Sequence, residues 1–289
     1  MHSISAPKSN AGGNANSVTK TWSELARAGV HVDLISQDFG PPGDRNTVPE
    51  TKEVRVEFAR ASYLPFIRSV YSPEFRSLVA RTCFESKIDL VHDHGLWLPA
   101  NHSVASVCRE LGLPVIVSSH GMLSPNALSH DRNRKSLAWW AFQRRNLLSS
   151  VAICVTSGQE ADDLRAKVCN KPIAVIPYGV SLPAVRDEFV QPVGPRIALF
   201  LGRIHPIKGL VALVDAWAMA RPVGWRVVVA GPDEGGHMKI VLDAVRRAGL
   251  SNAFAFVGAA YDEPKAKLYG APGLFHLPSR CDTFGMVGA

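Results

Sequence analysis

Phe200-Leu201-Gly202-Arg203-Ile204-His205-Pro206-Ile207-Lys208-Gly209-Leu210 joins an apolar strand to a helix through a basic turn, and its reading decides the fold. The run before the turn, Arg196 to Leu201 (RIALFL), is short and nearly continuous in apolar residues, as a strand buried on both faces requires. After the turn, Val211 to Ala220 carries apolar residues at helical spacing. A helix N-terminus offers unpaired N–H groups and a partial positive charge, and two cations beside it make a site for phosphate or diphosphate. Arg203 supplies a planar fork and Lys208 a point charge. In an arbitrary loop, a lone Arg and Lys are better read as solvated charges.

The same alternation extends in both directions. On the N-terminal side, strands are predicted at Val30 to Ser36, Val54 to Phe58, Asp89 to Asp93, Pro114 to Ser119, Val151 to Val155 and Ile173 to Ile176. Helices are predicted at Ser17 to Ala28, Pro73 to Lys87 and Ser103 to Leu111. A doubly wound sheet needs a strand ahead of the Gly12-Gly13 turn, but little chain is available there, so the first strand is expected to be short or missing. On the C-terminal side, strands are predicted at Trp225 to Ala230, Phe254 to Val257 and Leu274 to Leu277, with helices at His237 to Ala248 and Glu263 to Tyr269. The fold class is therefore α/β, with two doubly wound, Rossmann-like halves at 1–177 and 195–289 and a Pro- and Gly-rich linker at 178–194.

Composition narrows the function classes. The 289 residues are 46% hydrophobic and 20% charged, with no run of eighteen apolar residues and no apolar signal-peptide core, so a cytoplasmic location is expected. Cys83, Cys108, Cys154, Cys169 and Cys281 are scattered and lack a Cys-x-x-Cys pair, which argues against a disulfide framework or a zinc site. The net charge of +7 suits an anionic partner. Arg132 to Leu148 combines Trp139, Trp140 and Phe142 with five basic residues, which fits either a peripheral membrane contact or a domain helix with its aromatics packed inward. No basic run with interleaved aromatics forms an RNA module, so nucleic acid is not an expected partner.

Ligands of open α/β sheets bind beyond the carboxyl ends of strands, where His94, His120, Arg203, Asp233 and the Pro278 to Gly285 loop fall. His120 follows a buried strand, where it would either donate to a sugar hydroxyl or stabilise developing charge, or serve structure alone, the commoner role of a lone histidine. His92, Asp93, His94 and His120 invite a metal, but adjacent strand residues face opposite ways and the local spacing is poor, so none is assigned. Asp233-Glu234-Gly235-Gly236 is either a second backbone approach to a nucleotide or a plain turn. The P-loop pattern and an Asp-x-Asp metal motif are both absent, which leaves the protein itself to neutralise a bound diphosphate.

Together, Gly12-Gly13, His92-Asp93-His94-Gly95, His120-Gly121, Ile176-Pro177-x-Gly179-Val180, Gly202-Arg203 with Lys208-Gly209, Ala230-Gly231-Pro232, Phe256-Val257-Gly258 and Leu277-Pro278-Ser279-x-x-Asp282-Thr283-Phe284-Gly285 resemble the retaining family 4 glycosyltransferases, especially bacterial exopolysaccharide and cell-envelope members. The resemblance implies the GT-B fold, two Rossmann-like domains facing across a cleft. It also implies sugar transfer from a UDP- or GDP-linked donor to a glycan or lipid-linked hydroxyl, with retention, no obligatory metal and no separate cofactor. By the same resemblance, Arg203 and Lys208 hold the donor diphosphate. Gly12, Gly13, Gly231, Ser279 and the backbone of Thr283, Phe284 and Gly285 complete the donor site, while His120 and Asp282 serve the reacting sugar.

Two departures accompany these matches. The family places Glu where this chain has Asp282, and a second Glu eight residues on, which would be position 290 of a chain that stops at Ala289. The expectation is a chain truncated at both ends. It acts either as a transferase or, alternatively, as a non-catalytic nucleotide-sugar or anion-binding module.

Overall fold

The computed structural model describes residues 1–4, 13–38, 54–65, 69–168, 170–179, 194–260, 268–269 and 273–279. In chain order the first half contains β1 (His2–Ile4), α1 (Gly13–Arg27), β2 (Val32–Asp38), β3 (Val54–Arg60), β4 (Ser62–Leu64), β5 (Ser69–Tyr71), α2 (Phe75–Glu85), β6 (Val91–His94) and α3 (Pro99–Leu111). It continues with β7 (Val115–Ser118), α4 (Pro125–Ser129), α5 (Arg132–Ala138), α6 (Arg144–Ser149), β8 (Ala152–Val155), α7 (Gly158–Arg165) and β9 (Ile173–Val175). The second half contains β10 (Arg196–Leu201), α8 (Leu210–Ala220), β11 (Trp225–Ala230), α9 (His237–Arg247), β12 (Phe254–Gly258) and β13 (Leu274–His276). Contacts divide the chain into two compact units, Met1–Gly179 and Val180–Ala289.

The first unit is a parallel seven-stranded sheet in the order β3-β2-β1-β6-β7-β8-β9. β1 exists but is only three residues long, and it lies inside the sheet, paired in parallel with both β2 and β6. Strand order reverses between β1 and β6, the switch point where open α/β sheets bind ligands. Helices cover both faces, as adjacent residues of β2 show. Leu34 packs with Val18, Trp22 and Ala26 of α1. Ile35 packs with Phe75, Leu78 and Val79 of α2 and with Val104 and Cys108 of α3. Each such side chain contributes about 1.5–3 kcal/mol by leaving water. α1 begins at Gly13, four residues before the predicted start, and keeps the predicted apolar face. α3 likewise begins four residues early, at Pro99, whose fixed φ and missing N–H suit a first helical turn. The β4–β5 pair is antiparallel and has no counterpart in the sequence reading.

The second unit is a parallel four-stranded sheet in the order β12-β11-β10-β13, so its order reverses at β10. One face carries Phe200, Leu213, Val214, Trp217, Val229 and Val241, and the other carries Leu199, Leu201, Val228 and Ala230. Of the helix predicted at Glu263 to Tyr269, all but Leu268 and Tyr269 lies outside the described residues.

Arg132 to Leu148 forms α5, a π-helical turn at Trp139–Gln143, and the start of α6. The aromatic residues of this segment divide between packed and exposed positions. Trp139 lies tilted against Trp97 with ring centroids 6.4 Å apart, and Phe142 lies 5.3 Å from His102. Leu137 and Trp140 are exposed. Among the described residues, no helix is long and apolar enough to cross a membrane.

Candidate functional site

In the second unit the loop after β10 is built by close backbone packing. Gly202 donates its N–H to Ala230 O at 2.9 Å, and Ile204 donates to Pro232 O at 2.8 Å. This joins the carboxyl ends of β10 and β11. Gly231 has φ +151°, and a Cβ placed on it would lie 1.8 Å from Gly202 O, so this crossing admits only glycine. His205 accepts the Ile207 N–H at 3.2 Å through Nδ1 and caps the 3-10 turn Pro206–Lys208. Gly209, at φ +71°, then turns the chain into α8. A Cβ there would meet Pro278 O at 2.1 Å, so the segment after β13 packs against this turn.

These contacts bring Arg203, the half-buried Lys208, Gly231 and Ser279 to one edge of the sheet, at its switch point. The structure adds a partner for Arg203 that the sequence reading did not assign. Its guanidinium donates to Glu234 Oε2 at 2.6 Å. Both side chains are nearly half exposed, at 47% and 44%, so the pair is worth at most about 1 kcal/mol. Asp233 caps α9 by accepting the Met238 N–H at 2.9 Å. The 233–236 segment is therefore a turn whose acidic side chains are engaged. Gly12, Asp282, Thr283, Phe284 and Gly285 lie outside the described residues, and Gly13 opens α1.

In the first unit, register assembles a row of imidazoles. His2 pairs with His92 across β1 and β6, and His94 lies two residues further on the same face. His2 Nδ1 is 3.2 Å from His94 Nε2, and His94 Nδ1 is 3.1 Å from His120 Nε2. His120 Nδ1 in turn hydrogen-bonds the Tyr178 hydroxyl. Both ring nitrogens of His120 are thus engaged, so its contact with a sugar requires one of these bonds to open. Asp93 points to the other face, where it accepts from Asn101 Nδ2 at 2.9 Å.

Burial sets the charge of this row. His120 and His92 are each pushed down to about 4, chiefly by burial. His2 and His94 are held well below the usual histidine range, again first by burial and then by neighbouring positive charge. Burial drives the Asp93 carboxyl the opposite way, up to about 7. Below pH 6.5 the unfolded chain takes up protons that the four folded histidines refuse, so stability falls as pH drops through 6.5 towards 4. Asp93 opposes this, because its folded form binds a proton more readily than its unfolded form. Four groups outweigh one. The urea midpoint measured with EDTA present is expected to fall between pH 7 and pH 5 by an amount equivalent to a few kcal/mol.

Glu160 of α7 was missed from sequence. Its buried carboxylate accepts from Ser119 Oγ at 2.7 Å, from Thr156 N at 2.8 Å, from Thr156 Oγ1 at 3.0 Å and from the Gly121 N–H. It thereby ties the end of β7 to the end of β8 and fixes the turn in which His120 adopts φ +49°, a strained value for a non-glycine residue. Ser157-Gly158-Gln159-Glu160 has the form of a helix capping box, and Ser157 Oγ does accept the Glu160 N–H. The glutamate turns to its neighbours instead of back to the cap.

Comparison with known proteins bears on the family and the fold. Residues 12–179 match the model of the glycosyl transferase 4-like domain, and residues 183–288 match glycosyl transferases group 1. A D-inositol 3-phosphate glycosyltransferase of Mycolicibacterium smegmatis is 33% identical, over 96% of this chain and 68% of that protein. The enzyme of the same name from Kineococcus radiotolerans is 27% identical, over 96% of this chain and 70% of its own length. Among solved structures, sucrose-phosphate synthase from Thermosynechococcus elongatus superposes with a TM-score of 0.73 at 22% identity, covering 99% of this chain and 77% of that one. Anabaena HepE in complex with UDP and glucose gives 0.70 at 17% identity, covering 99% and 76%. With the two family models accounting for nearly all of its length and both of its parallel sheets, the chain belongs to the group 1 glycosyltransferases and has the GT-B fold.

Proposed function

We propose that this chain transfers a sugar from a UDP- or GDP-linked donor to a hydroxyl acceptor, with retention at the anomeric carbon, in polysaccharide or envelope glycan assembly. The observation that carries the reading is the placement of Arg203 and Lys208 around the Gly202–Gly209 loop at the switch point of the second sheet. As the bond from the anomeric carbon to the diphosphate oxygen breaks, negative charge grows on the leaving group, and two fixed cations with the α8 N-terminus offset it without a metal on the diphosphate. Arg203 reaches the ligand by exchanging Glu234 for phosphate. Gly231 and Ser279 border the donor within the second unit, and the family resemblance extends donor binding to Gly12, Gly13, Thr283, Phe284 and Gly285 and assigns the transferred sugar to His120 and Asp282. Anabaena HepE, solved with UDP and glucose, supports a nucleotide-sugar donor. The exposed Leu137 and Trp140 beside Arg134, Arg144 and Arg145 support work at an anionic lipid surface on a lipid-linked acceptor.

The names of the relatives favour a second reading of the acceptor, a phosphorylated cyclic polyol. One assay addresses both. Labelled UDP- and GDP-sugars are incubated with the chain and EDTA, plus either a lipid extract or inositol phosphate, and the product is examined for anomeric configuration. Transfer with retained configuration is expected from one donor. Donor binding without transfer to either acceptor would favour the non-catalytic module.

A further inference from the structure

Of the histidine row, the donor reading uses only His120. His2, His92 and His94 come from two neighbouring strands, and each offers a ligand nitrogen, the three lying within 4.8 Å of one another. Two of these nitrogens, His2 Nδ1 and His94 Nε2, are 3.2 Å apart. Two imidazoles on a tetrahedral Zn2+ have nitrogens about 3.4 Å apart, given bonds of about 2.0–2.1 Å, so this pair already spans one edge of such a site. We propose that His2, His92 and His94 bind one late first-row divalent cation of the Zn2+ or Co2+ class.

Two further features fit a metal on the three imidazoles better than a simple hydrogen-bonded row. Two of the three have an outer partner of the sort that orients a ligating histidine. With Nε2 of His94 on the metal, its Nδ1–H donates to His120 Nε2 at 3.1 Å. With Nδ1 of His92 on the metal, its Nε2–H donates to Ser118 Oγ at 2.7 Å. Finally, Trp22 packs against this group, its ring 5.3 Å from His2 and 5.9 Å from His94, and its buried Nε1 has no hydrogen-bond partner among the described residues. A water or hydroxide in the fourth position would accept from that indole. Imidazole donors suit Zn2+, Co2+ or Ni2+ and not Mg2+, which prefers oxygen. The site is separate from diphosphate binding in the second unit, so it stands or falls independently of the proposed activity. Its effect within the first unit is to decide which nitrogen of His120 carries the proton, because a metal on His94 leaves His120 Nε2 as acceptor and Nδ1–H as donor to Tyr178.

The test strips the full chain with EDTA, removes the chelator, and titrates Co2+ while recording the visible spectrum, followed by displacement with Zn2+. One equivalent should give the intense bands of tetrahedral coordination, and metal should raise the melting temperature. His2→Gln and His94→Gln should each weaken binding by about tenfold or more and abolish the thermal shift, while His130→Gln, at an exposed position, should change neither. Weak octahedral bands in the wild-type chain would overturn the proposal without recourse to variants. So would a tetrahedral site of undiminished affinity in a folded His94→Gln protein.

Discussion

Gly231→Ala is expected to abolish the cooperative unfolding transition of the second unit. An added Cβ would stand 1.8 Å from Gly202 O and 2.6 Å from Gly202 C, and both obstacles are backbone. They are also held in place, since Gly202 N–H donates to Ala230 O and Gly231 N–H donates to Gly258 O at 2.7 Å. Relief requires the ends of β10, β11 and β12 to separate. The φ of +151° adds strain for any side chain. The cost exceeds about 4 kcal/mol, a large share of a domain's stability. Gly249→Ala is the control. It too has positive φ, but no atom lies within 4 Å of its Cβ, so it should cost about 1 kcal/mol and leave the transition intact. Urea unfolding followed by tryptophan fluorescence distinguishes the two. Equal midpoints for both variants would mean that β10 and β11 do not cross as described.

The second large effect is expected at Glu160. Truncation to alanine strands the buried Thr156 N–H together with the Gly121 N–H and leaves the Ser119 hydroxyl without its acceptor. Each unsatisfied buried donor costs about 1–3 kcal/mol, so Glu160→Ala should destabilise the first unit by about 3–5 kcal/mol. The strained His120 turn is then free to relax. Tyr178→Phe removes the hydroxyl contact to His120 and should cost about 1 kcal/mol. A Glu160→Ala loss no larger than that of Tyr178→Phe would show that the carboxylate is not the tie between β7 and β8.

Much of the architecture was legible because it rests on periodicity. The bounds of β10 and β11 agree with the sequence reading, and so does the Val18, Trp22, Ala26 face of α1, since apolar runs and helical spacing record burial directly. What escaped was the part fixed by register. A three-residue strand shows no period, so β1 could not be placed, and without it nothing brought His2 beside His92. The metal reading accordingly considered His92, Asp93, His94 and His120 without His2. Glu160 was hidden differently, because a glutamate three residues after a serine already has an ordinary reason to be there. In the basic loop, Arg203 and Lys208 were identified by their charge. The pairing of Arg203 with Glu234 depends on Ile204 and Asp233 forming a bridge between the two loops, which no local pattern announces.

Calorimetric titration of UDP- and GDP-sugars into the wild-type chain, Arg203→Ala and Lys208→Ala tests the diphosphate site most directly. Losing one charge-assisted contact to a phosphate is worth about 1.5–3 kcal/mol, so each variant should bind the preferred donor about tenfold to a hundredfold more weakly while melting at the wild-type temperature. Donor affinity unchanged in both folded variants would contradict the assignment of this loop.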